Sequence, residues 1–114
     1  MSFFDSEVVR AEMAEITDLQ EEVYSNVFKF PTMSREEKLE HVKILERLLD
    51  KQKVLYTRMS LSDDPEAKEM KGRIVESAIM MGMPHGTDMN IILNNMSKML
   101  EVMKEQIDKT GSDL

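Results

Sequence analysis

The chain has no cysteine and no tryptophan, only two histidines, three prolines and four glycines among 114 residues. Without cysteine, disulfides and thiolate metal sites are excluded. No apolar run approaches the roughly 20 residues that a membrane-spanning helix needs. The opening MSFFDSEVVR lacks a basic stretch followed by an apolar one, so no signal peptide is expected and the cytoplasm is the expected compartment. Aromatic residues make up 5%, which leaves core filling to aliphatic side chains and to twelve methionines, flexible and tolerant of irregular packing.

Motifs of chemistry are missing as well. There is no glycine-rich phosphate loop, no G-x-S-x-G elbow and no H-E-x-x-H. A di-iron helical bundle needs two Glu-x-x-His motifs. The nearest approach is EEKLEH, where Glu37 and His41 stand four apart, in a single copy. The reading is therefore non-enzymatic, with no cofactor and no metal.

What is present is charge and helical periodicity. Charged residues reach 32% and the net charge is −7, unevenly spread. Residues 1–33 carry a net of −5, residues 34–61 a net of +2, and residues 62–114 a net of −4. A nucleic-acid binder concentrates bases on one face, because neutralising phosphate supplies most of its affinity. That footprint is weak here, and nucleic acid is disfavoured as a partner.

Four helical segments follow from the 3.6-residue period, at about 6–28, 34–59, 65–81 and 88–107, with a polar tail over 108–114. Asp5 is the expected cap of the first, and Phe4 with Val9 has the spacing of a hydrophobic staple. Its stripe is Val9, Met13, Ile16, Val23 and Val27, and Pro31 ends it. The second opens on SREE, a capping box of Ser34 and Glu37. It carries a heptad row through Val42, Leu45, Leu49, Gln52, Tyr56 and Met59 and a second row beside it through Ile44, Leu48 and Leu55. A face this wide touches more than one neighbour. The third is capped by Ser62 or Asp64, and its buried row runs Ala67, Met70, Ile74, Ala78 and Met81. The fourth starts at Thr87 or Asp88, with Met89, Ile92, Met96, Met99 and Met103 as its row and Leu93, Leu100 and Ile107 alongside. Short connections predict antiparallel neighbours. The expected fold is all-α, a single domain built as a mostly antiparallel four-helix bundle that self-associates.

Two places are candidates for partner contact. Lys43, Arg47 and Lys51 step by four along helix 2, interleaved with Glu36, Glu40, Glu46 and Asp50, the pattern of a salt-bridged outer face. The stretch AIMMGMPHGTDM is rich in soft ligands, yet each of its oddities has a local role. Gly82 suits a left-handed helix end, Pro84 prevents continuation, and Met81 and Met89 belong to buried rows. Met80, Met83 and His85 are left unclaimed by any row, as a partner-binding knob if exposed and a plain corner if buried.

Three stretches, SFFDSEVVRAEM, LLDKQKVLYTRMSLSDDPEA and MGMPHGTDMN, resemble a family of small proteins from cyanobacteria and their phages catalogued as a domain of unknown function. The long DKQKVLYTRMSLSDDPEA block is more similar to the cyanophage branch. The resemblance spans nearly the whole chain. It implies a setting, the cytoplasm of a photosynthetic bacterium or of one under infection, and it implies no activity and no functional residue. The expected function is a protein-interaction module or adaptor, a phage factor acting on a host protein, with a virion or capsid-assembly component as the alternative and a nucleic-acid-binding regulator behind both.

Overall fold

The computed structural model describes residues 2–86 and 88–111, and among these there are helices and no strands. Four α-helices carry the fold: α1 (Glu7–Asn26), α2 (Arg35–Leu61), α3 (Pro65–Met80) and α4 (Met89–Gly111). The all-α class read from the sequence is what the chain adopts.

Local chemistry sets the helix ends. The Ser34 hydroxyl accepts from the Glu37 amide at 3.2 Å while the Glu37 carboxylate accepts from the Ser34 amide at 3.3 Å, the reciprocal box expected there. Asp64, not Ser62, caps α3 through the Glu66 amide at 2.9 Å. Asp88 caps α4 through the Asn90 amide at 2.9 Å; the alternative cap, Thr87, lies outside the described residues. At the other end of α3, Gly82 sits at φ +106°, its amide donating to Ile79 at 3.0 Å and the Met83 amide to Ala78 at 3.0 Å. This is a Schellman ending, and it leaves glycine as the natural occupant.

Some boundaries differ from the periodic reading, each for a local reason. Ser6 caps α1 without a side-chain bond. Asp5 instead turns back to accept from the Ser2 amide at 3.1 Å in a short 3₁₀ turn over Phe3–Asp5. The segment predicted as the end of the first helix tightens into a 3₁₀ turn over Val27–Thr32 that contains Pro31. The second helix runs two residues further, to Leu61. The fourth continues into the segment expected to be a polar tail, because Arg35 Nη2 reaches Asp108 Oδ1 at 2.6 Å and ties that turn to the start of α2. Residues 112–114 of that tail lie outside the described residues.

α2 is the spine. It packs against α1 along one side and α4 along the other, and its C-terminal part carries α3, while α1 and α4 share no substantial contact. Ion pairs fix the directions. Arg58 Nε donates to Glu12 Oε1 at 3.0 Å and Lys51 pairs with Glu15. On the other side Lys104 lies 3.0 Å from Glu46, and Lys53 donates to Ser97. Residue numbers rise on α2 as they fall on the partner in both cases, so both neighbours lie antiparallel to it.

The apolar interior is split accordingly. One cluster joins α1 to α2 through Ile16, Leu19, Val23 and Leu48. The other joins α2, α3 and α4 through Leu49, Tyr56, Met59, Ala67 and Leu93. The dimensions, 54 × 32 × 20 Å, describe a slab. Its radius of gyration of 16.4 Å exceeds the about 13 Å expected of a compact chain this long.

Candidate functional site

The two apolar rows of α2 diverge, one mainly toward α1 and one mainly toward α3 and α4, and a groove lies between them over the buried Leu48 and Leu49. This is the floor of a trough walled by α4, and by α1 beyond Gln52. Toward the N-terminal half of α2 lies a groove of about 190 Å³ with Leu45, Leu48, Leu49 and Gln52 below and Met96, Met99 and Met103 on the wall. Beyond Gln52 the trough widens to about 360 Å³ between Ile16 and Gln20 of α1 and Met89 and Leu93 of α4, where Ile74 of α3 closes the end. Gln52 lines both stretches. No charged side chain lines either one.

The methionine wall arises from a shift in which face of α4 meets α2. The sequence places Met89, Ile92, Met96, Met99 and Met103 as the buried row. The line through Leu93 and Leu100, read as alongside that row, faces α2 together with Met89, held there by Ser97 and Lys104 on its polar side. Met96 and Met99 are turned to the rim, 46% and 65% exposed. The polar partners were the available signal, since Lys104 and Ser97 lie on the same face as the Leu93–Leu100 line and Glu46 and Lys53 answer them from α2. Leu19 was likewise missed as the contact residue of α1 with α2, where Met13 and Val27 of the expected stripe remain exposed.

The basic stretch of α2 divides. Lys51 is half-buried and engaged by Glu15, whose carboxyl is held below its ordinary range by that hydrogen bond and charge, with Arg47 adding to the effect. Lys43 and Arg47 are exposed and, by the helical period, stand on the side of α2 turned away from the trough. The corner is exposed at every candidate position: Met80 at 88%, with Met83 and His85 also open. Met81, expected in the buried row of α3, is 86% exposed at the cap that ends the helix. His41 is buried, its ring 5.5 Å from Phe30, and it anchors the turn between α1 and α2.

Among the described residues no group of three or more His, Cys, Asp or Glu side chains is placed to hold a metal ion. No described helix is long and apolar enough to cross a membrane. Tyr56 is buried on the floor beyond Gln52, and burial pushes its phenol above the ordinary value with a smaller push from Asp88.

Compared with known proteins, the chain matches the model of a family described as Domain of unknown function (DUF1825) over residues 1–107. No curated protein and no solved structure matches it.

Proposed function

Because the chain belongs to this family, DUF1825, which by its own description comes with no function, we propose a role from the geometry: a non-enzymatic protein-interaction module that docks its partner in the trough on α2. The observation that carries this reading is the uncharged trough itself, floored by Leu45, Leu48 and Leu49 and walled by methionines. A helix layer with an apolar face is stable when another layer covers it, and methionine suits a surface that must adapt to a partner. The same resemblance to cyanobacterial and cyanophage proteins supports a cytoplasmic setting and a phage factor acting within the host.

A second reading, a subunit of the virion or of its assembly, draws support from the slab-like shape, 20 Å in its thinnest dimension. Mass spectrometry of purified particles and proheads separates the two; abundance in particles favours the assembly role. Nucleic-acid binding loses ground because Lys51 is engaged by Glu15, which leaves Lys43 and Arg47 as a short exposed pair.

The test is a photo-crosslinking residue placed at Met99 on the trough wall or at Val54 on the opposite side of α2. Discrete protein adducts at position 99 and none at 54 are expected in cells that make the protein. Adducts at neither position, or at 54 alone, overturn the docking reading.

A further inference from the structure

We infer that the trough is covered by a second copy of this chain, two slabs meeting face to face about a twofold axis that passes near Gln52. The inference rests on the docking reading above and names its partner. Three observations carry it.

The first is area. The chain exposes 8107 Å², whereas a compact folded monomer of 13.2 kDa exposes about 6,400 Å². The surplus, about 1,700 Å² per copy, is spread over the elongated slab, and covering part of it on each copy reaches the homodimer class, which starts at roughly 2,000 Å² in total.

The second is charge. With a net charge of −7, two copies repel wherever their carboxylates are brought together. The trough is the face that avoids this. Its lining is free of Asp, Glu, Lys and Arg, and the seam carboxylates Glu12, Glu15 and Glu46 are paired with Arg58, Lys51 and Lys104.

The third is Gln52. It is half-buried among Leu45, Leu48 and Leu49, and no hydrogen bond of its carboxamide is found among the described residues. A primary amide both donates and accepts, so two copies of the same side chain across a twofold axis satisfy each other. A polar residue in an apolar seam also fixes register, as an asparagine does in coiled coils.

Light scattering coupled to size exclusion tests this on the whole protein. The wild type is expected at twice 13.2 kDa. Met96→Glu/Met99→Glu, which alters two rim residues, is expected at the monomer mass with helicity unchanged by circular dichroism, and Val54→Glu is expected to remain dimeric. Adducts from the residue at position 99 are expected to contain two copies of the chain. A wild type that stays monomeric at tens of micromolar overturns the inference, as does a dimer that survives Met96→Glu/Met99→Glu or is lost only in Val54→Glu. A monomer whose position-99 adduct holds a different protein overturns self-pairing and leaves the docking reading standing. A monomer with no adduct at position 99 overturns both.

Discussion

The Asp64 carboxylate serves two segments at once. One oxygen accepts from the Glu66 amide at the start of α3, and the other accepts from the Phe3 amide in the N-terminal turn. These two bonds, in that order of weight, hold its carboxyl below the ordinary range. The folded value is lower than the unfolded one, so its contribution to stability is complete above the ordinary carboxylate range and is lost as pH falls through the lowered value. Thermal melts across acidic pH are expected to fall more steeply for the wild type than for Asp64→Asn, which starts lower at neutral pH. Two glycines give opposite signs. Gly82 lies at φ +106°, and Gly82→Ala is expected to cost about 1 kcal/mol in urea unfolding. Gly72 lies within α3 with open space where a Cβ would go, and Gly72→Ala is expected to add about 0.5–1 kcal/mol. Both roles were legible in the sequence, because a left-handed helix end and a weak mid-helix position have local signatures. The Asp64 bond to Phe3 was not, since 61 positions separate the two residues.

The helices themselves were the most legible level, and α2 most of all. SREE names its start, and its two rows name its width. Ser34→Ala is expected to cost about 1 kcal/mol of stability by chemical denaturation, through loss of one half of the box. α4 was read correctly as a helix, and its face only in part: Leu93, Leu100 and Met89 meet the core, while Met96 and Met99 do not. Its period admits either the Met89–Met103 row or the Leu93–Leu100 line as the buried one, and hydrophobicity hardly separates methionine from leucine. The decision falls to polar neighbours on another helix, which a single-helix period does not contain. Its extension past residue 107 also depends on a distant side chain. Arg35→Ala is expected to expose Lys109 to faster tryptic cleavage while changing global stability by less than about 1 kcal/mol, since the Arg35–Asp108 pair is exposed.

At the scale of the molecule, the sequence shows how much apolar surface each helix carries and is silent on what covers it. The wide faces of α2 fit a closed bundle and an open slab equally well, and the difference lies in whether α1 and α4 meet. They do not. If the slab pairs with itself, added salt should tighten the pair, because it screens repulsion between two copies of charge −7 while leaving the uncharged trough unaffected. Sedimentation at increasing sodium chloride checks this, and a weaker dimer at higher salt would point to charge-driven contact elsewhere. Melting temperature should likewise rise with protein concentration.

The split interior has a consequence for how the chain comes apart. With α1 held mainly through Leu48 and its neighbours, and α3 and α4 mainly through Leu49, Tyr56 and Met59, the two sides lean on α2 and share only Leu55 and the Phe3 turn with its bond to Asp64. Opening should therefore proceed by arms, each side peeling from the spine with its own free energy instead of in a single concerted event. Native-state hydrogen exchange is expected to resolve at least two cooperative units, with the amides at the middle of α2 the last to exchange.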